Sequence, residues 1–133
     1  MADNFGKRLE GTRVSNEGGF YSAPASNVAA GAIFMPKYAT SAQFGVPEIP
    51  VEAGKLGFFA TSGTFAFAKP DGHVSVAGQE IYYAPTDATT GTISTTAANG
   101  SVLLGWEVVR DGAPDDVIYV DVARPTALVS GIS

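Results

Sequence analysis

His73 is the single histidine of the chain, and it directly follows a Lys69-Pro70-Asp71-Gly72 stretch. To act as a general base it needs a Ser or Cys nucleophile on one side and an orienting acid on the other. The sequence holds no cysteine and no G-x-S-x-G segment, so His73 reads as a turn residue rather than a base. Zinc chemistry requires clustered His, Cys or carboxylate ligands, and one His with no Cys does not build that set. Asp111, Asp115 and Asp116 in DGAPDD miss the alternating carboxylates and central glycine of a calcium loop. They read as an acidic turn. Gly18-Gly19 and Gly54-Lys55-Leu56-Gly57 open strand-like runs, whereas a phosphate cradle opens a helix. Asn99-Gly100-Ser101 fits a glycosylation acceptor, but with no secretory signal it reads as a hairpin-type turn. A glycosidase carboxylate pair stays open at this level, although no row of sugar-stacking aromatics accompanies it. The expectation is a protein that is not an enzyme, with no catalytic residue, no metal site and no cofactor.

Composition narrows the binding classes that remain. Of 133 residues, 16% are charged and 45% hydrophobic, against about 25% charged in an average domain. A charge-poor surface suits a protein packed against others, and equally a loop surface of Gly, Ala, Ser and Thr. Net charge is −5, which argues against a phosphate-binding groove. Tyr82, Tyr83, Trp106 and Tyr119 therefore read as core or subunit-interface residues rather than base-stacking platforms. No nucleic-acid partner is expected. Residues 1–13 carry a net +1 from Lys7, Arg8 and Arg13, while the rest carries −6. The opening MADNFGKRLEG has no apolar signal region. No apolar run nears the roughly 20 residues of a membrane helix. Synthesis in a cytosol and no membrane partner are expected.

The elements that would carry any site are short. Sixteen Gly and eight Pro divide the chain into runs rich in Val, Ile, Phe, Tyr and Thr, the pattern of many strands and tight turns. Residues 1–27 are polar and Gly-rich and read as an extended N-terminal arm, with one short strand near Thr12–Ser15. The β-rich body spans 28–133. Its expected strands are Ala32–Met35, Gln43–Val46, Lys55–Thr61, Gly63–Lys69, His73–Val76, Gln79–Ala84, Thr92–Thr96, Ser101–Val109 and Asp116–Ala123. Lys55–Thr61 and Gly63–Lys69 read as a hairpin through Ser62-Gly63. Phe65 with Phe67, Ile81 with Tyr83, and Ile118 with Val120 and Val122 each fall on one strand face. About nine strands and no helix predict an all-β protein, a single small β-sandwich or barrel, jelly-roll-like or tulip-like.

The body also carries a resemblance. The stretches are Val28-Ala-Ala-Gly31, Phe44-Gly-Val-Pro-Glu-Ile-Pro-Val-Glu-Ala-Gly54, Leu56-Gly-Phe-Phe-Ala-Thr-Ser-Gly-Thr-Phe65 and Gly78-Gln-Glu-Ile-Tyr-Tyr83, followed by the Thr-rich 91–97, Leu104-Gly-Trp-Glu-Val108 and 117–124. Their order resembles the capsid decoration, or cement, proteins of tailed bacteriophages, a family once catalogued as a domain of unknown function. The resemblance covers about three quarters of the chain and rests on turns and strands. It implies a β-rich body on the outside of an icosahedral shell, with no active site and no cofactor.

Together these readings predict a structural virion protein on the outer capsid surface. Its partners would be the major capsid protein of a tailed phage and itself, as a homotrimer or alternatively a homodimer, clamping adjacent capsid subunits and stabilising the expanded head. Phe5, Lys7, Arg8, Leu9, Arg13 and Val14 of the arm are the candidate capsid contacts. Phe58, Phe59, Tyr82 and Tyr119 are the candidate oligomer contacts. A tail or baseplate β-module, or a small glycan-binding β-sandwich, is the alternative.

Overall fold

A computed structural model describes residues 18–125 and 127–132. The described residues form seven strands and no α-helix, as the punctuated Val/Phe/Tyr/Thr runs predict. They are β1 (Gly19–Ser22), β2 (Gly57–Ala60), β3 (Gly63–Ala68), β4 (Glu80–Pro85), β5 (Gly91–Ser94), β6 (Val102–Val108) and β7 (Val117–Val122). β1 and β2 make a two-stranded antiparallel sheet, and the other five form an antiparallel sheet in the order β3-β7-β6-β4-β5.

The expected hairpin of Lys55–Thr61 with Gly63–Lys69 does not form. β2 pairs with β1 on one edge, and Ala60 exchanges two hydrogen bonds with Val46 on the other, at 2.8 and 2.9 Å. Neither edge is left for β3. Gly63, with φ at 116°, turns the chain out of the small sheet, and β3 pairs in full register with β7 from Gly63↔Val122 to Ala68↔Val117. Asn99-Gly100 likewise turns the chain without joining paired strands, because β4 lies between β5 and β6.

Two expected strands are instead irregular chain held by single bridges. Phe34 pairs with Gly45, Val28 with Val51, and Val46 with Ala60. This 28–51 segment still buries its apolar residues. Ile33, Met35, Ala42, Phe44 and Val46 join Phe65, Phe67, Ile81, Tyr83, Val102, Leu104, Ile118, Val120 and Val122 in one core. The predicted strand faces are thus the buried ones, with irregular chain as their cover. Thr64 and Ala66, on the opposite face of β3, are buried as well, Ala66 facing Tyr119 in register. A second cluster gathers Val28, Phe34, Val51 and Phe59, with Phe20 stacked on Phe59 at 5.5 Å. His73–Val76 is loop, not strand. Its turn closes with the His73 N–H donating to the Pro70 carbonyl, so Pro70 opens the turn and Gly72 (φ 74°) takes its second central place.

Of the segment expected as an arm, residues 1–17, including the strand near Thr12–Ser15, lie outside the described residues. Residues 18–27 pack on the body: β1 pairs with β2, Pro24 is fully buried, and the Asn27 side chain accepts a hydrogen bond from the Ala53 N–H at 2.8 Å. At the other end the chain folds back onto the 99–101 turn. Val129 and Ser101 are joined at 2.7 Å, and the Asn99 side chain bonds both main-chain groups of Ile132.

β4 and β5 are joined by a loop organised by Asp87. Its carboxylate accepts hydrogen bonds from the N–H groups of Thr89 and Thr90 and from the Thr89 hydroxyl, and these bonds hold its pKa below the usual carboxylate value. Tyr83 lies under this loop. Burial, reinforced by the charge of Asp87, pushes its phenol from 10.0 up to about 12.

Two outcomes follow for stability. A Cβ at Gly105 in β6 would sit 2.1 Å from the Asp121 carbonyl oxygen and 2.9 Å from the Val122 Cα, both main-chain atoms. Gly105→Ala should therefore cost roughly 1–3 kcal/mol, read from urea unfolding midpoints. For Tyr83 the folded pKa exceeds the unfolded one, so the fold favours the neutral phenol. That contribution is complete below pH 10.0 and is lost as pH rises through about 12. Wild-type unfolding midpoints should fall across this window, and Tyr83→Phe should flatten the fall.

Candidate functional site

The one histidine is buried. The His73 Nε2 lies 2.8 Å from Glu107 Oε1, with side chains 6% and 1% exposed. The same carboxylate oxygen accepts the Val76 N–H at 3.4 Å, while the Glu107 main chain bonds Gly78 and Gln79. Glu107 shares a sheet face with Val120, so the 69–79 loop is pinned across the inner side of β6. Both polar groups of the pair are turned into the protein and hold a loop in place. Among the described residues no group of three His, Cys, Asp or Glu is arranged to hold a metal ion. No helix of the described residues is long and apolar enough to cross a membrane.

An open apolar groove of about 520 Å³ is lined by Ile49, Pro50, Val51, Leu56 and Phe58, together with Glu48, Glu52 and Lys55. Ile49 and Leu56 are each 72% exposed. The chain bends at Glu48 and Ile49 between Pro47 and Pro50, and Ile49 stands on the surface beside the groove. Gly57 lets Val51 approach: a Cβ there would lie 2.4 Å from the valine side chain. Exposed Tyr21 meets Phe58 edge-on with ring centroids 5.1 Å apart. Tyr21, Ile49, Leu56 and Phe58 thus make one apolar region at the end of the small sheet, and solvated apolar surface of this kind marks contact sites.

The candidate oligomer contacts separate. Phe58 lines the groove and is partly exposed. Phe59 is fully buried in the second core cluster, so it is corrected to a core residue. Alternation along β2 sends its ring inward, where Phe20 and Phe34 enclose it. Tyr82 and Tyr119 are half-buried on the outer face of the large sheet. The Tyr82 hydroxyl donates to Glu80 Oε1 at 3.0 Å, which raises its pKa, and the Arg110 guanidinium lies 5.6 Å from the Tyr119 ring centroid. Trp106, 42% exposed, sits on this face opposite Asp121. The structure does not bring Phe58 together with Tyr82 and Tyr119; they belong to different sheets. Phe5, Lys7, Arg8, Leu9, Arg13 and Val14 lie outside the described residues.

Sequence reading missed Ile49, Leu56 and Tyr21 as surface residues. The Pro47 and Pro50 pair flanking Ile49, which marks a break in regular structure, was the available signal. Leu56 carried none, since an apolar residue before a strand usually enters the core.

A family model described as phage cement protein matches residues 16–122. The chain belongs to that family. The match ends on the last residue of β7 and takes in all seven strands. It makes this a capsid-stabilising protein of a structural family, in keeping with a histidine committed to holding a loop. No curated protein matches the chain.

The His73–Glu107 pair has a measurable consequence. Glu107→Leu leaves a buried imidazole and the Val76 N–H without their acceptor and should cost about 1–3 kcal/mol in urea unfolding. His73→Leu should cost a similar amount, and the double replacement less than the sum of the two. Additive losses would mean that the two side chains act independently.

Proposed function

We propose that this protein binds the outer surface of a tailed-phage head as a symmetric oligomer, a homotrimer at three-fold junctions or alternatively a homodimer, and clamps neighbouring major capsid subunits in the expanded head. The observation that carries the proposal is the cement-family match over all seven strands, on a body whose exposed apolar residues form surfaces rather than a catalytic cleft. It favours the capsid over a tail module or a glycan-binding sandwich.

In this reading each copy makes modest contacts, and the oligomer engages several capsid subunits at once. Effective concentration then replaces single-site affinity. The groove around Phe58, with Tyr21, Ile49 and Leu56, supports self-association, since apolar cores with polar rims are the usual form of such contacts. The outer sheet face with Tyr82, Trp106 and Tyr119 offers a second surface.

The arm is proposed to reach a neighbouring subunit. The described chain begins beside Thr61, whose N–H donates to the Gly18 carbonyl. Seventeen residues precede this point and span at most about 60 Å when extended. Lys7, Arg8 and Arg13 would meet acidic groups, and Phe5, Leu9 and Val14 apolar ones.

Purified protein should co-sediment saturably with expanded capsids that lack it, and imaging should place it at fixed symmetry positions. A chain starting at Gly18 keeps β1 and should fold with an unchanged unfolding midpoint, yet bind capsids roughly tenfold or more weakly. Leu56→Asp should shift the sedimentation coefficient from oligomer to monomer. Failure of the wild type to bind expanded capsids would overturn the capsid reading.

A further inference from the structure

The 69–79 loop and the β6–β7 loop meet at one pole of the body, and their polarity is inverted. Polar His73 and Glu107 are buried beneath, while Val74 is 77% exposed and Val76 and Val109 are each 51% exposed above. The two loops are joined by the Lys69 N–H donating to the Asp116 carbonyl at 2.9 Å, and Ser75, Val109, Asp111 and Asp115 line one shallow depression between them. Surface loops ordinarily turn such residues the other way, because solvated valine gains nothing and buried polar groups require partners. Here the buried pair fixes the loop so that the valines stand in water, a preorganised arrangement that lowers the ordering cost of a contact.

Charge states what the contact fits. Asp71, Asp111, Asp115 and Asp116 are exposed on these two loops, against Lys69 and Arg110, so this pole is acidic. Arg110 is already drawn over the Tyr119 ring. An acidic rim around an apolar centre selects a cationic rim around an apolar patch. The pole lies at the Ala68↔Val117 end of β3 and β7, opposite the Gly63↔Val122 end, near which Gly18 bonds Thr61. A body seated by this pole therefore holds Gly18, the first described residue, on the far side.

We infer that Val74, Val76 and Val109, rimmed by Asp71, Asp111 and Asp115, form the seat of the body on the shell, docking on a basic-rimmed apolar patch of the capsid lattice. This rests on the capsid reading above. The groove around Phe58 is then left for contacts between copies.

Two variants of the full chain test the seat, Val74→Ser/Val76→Ser and Asp71→Asn/Asp111→Asn/Asp115→Asn. All replaced side chains are exposed and the buried His73–Glu107 pair is untouched, so unfolding midpoints and oligomer mass should match the wild type. Capsid binding is then measured by co-sedimentation at about 0.15 M and about 1 M salt, where the Debye length falls from about 8 to about 3 Å. The wild type should weaken with salt. The Asp variant should bind roughly tenfold more weakly at low salt and lose the salt dependence. The Val variant should bind roughly tenfold more weakly at both. Wild-type binding that both variants match overturns the seat and leaves the capsid reading intact. Variants that lose oligomer mass instead make the pole a contact with a second copy, which also overturns the seat. No binding by the wild type overturns the capsid reading and the seat with it.

Discussion

The fold depends on covering one face of a five-stranded sheet without a helix. The inner sides of β3, β4, β6 and β7 present Phe65, Phe67, Ile81, Tyr83, Leu104, Ile118 and Val120, which require an apolar partner layer. Met35, Phe44 and Val46 supply it from chain that is almost entirely irregular. Main-chain groups of that segment would be costly to bury unpaired. Its few bridges, Phe34 to Gly45, Val28 to Val51 and Val46 to Ala60, meet that need where the segment runs deepest. The small β1–β2 sheet is a consequence of the same cover. It continues from the Val46–Ala60 bridge, and its Phe59 closes the second cluster with Phe20 and Phe34.

This economy of regular structure has a functional side. A rigid sheet with a loop-built cover leaves much of its backbone and apolar residues near the surface. Ile49 and Leu56 on the cover, Trp106 on the open sheet face and Val74 and Val76 on a pinned loop are exposed in three separate places. An enzyme gathers its polar groups into one cleft. Under the proposed clamp, several modest contacts pointing in different directions let one copy touch more than one neighbour at once. The polar groups that a catalytic reading would prize are spent internally: His73 and Glu107 hold a loop, and Asp87 closes a hairpin.

Strand identity was largely legible in the sequence because period-two alternation is a local property. β2, β3, β6 and β7 fall within the expected segments, β4 runs one residue past its own to Pro85, and Phe65/Phe67, Ile81/Tyr83 and Ile118/Val120/Val122 are the buried faces. The all-β class and the cement-family membership were legible on the same basis, as a rhythm of turns and strands. β1 was less so, because Phe20 and Tyr21 sit alone in a polar, Gly-rich stretch and gain their strand only from β2.

What the tertiary structure decided is pairing and exposure. Adjacency in sequence predicted that Lys55–Thr61 would pair with Gly63–Lys69, but both edges of β2 were taken by β1 and Val46, and no local signal reports an occupied edge. Phe58 and Phe59 are neighbours of identical type, and alternation alone separates a groove residue from a core residue without saying which is which. His73 read as a surface turn residue because its partner Glu107 stands 34 positions away. The sequence by itself determined that short strands and turns would form, through side-chain alternation and Gly/Pro geometry. Only the folded chain decided which edges meet, which polar groups are buried together and which valines are left in water, because those depend on residues far apart in the chain competing for the same space.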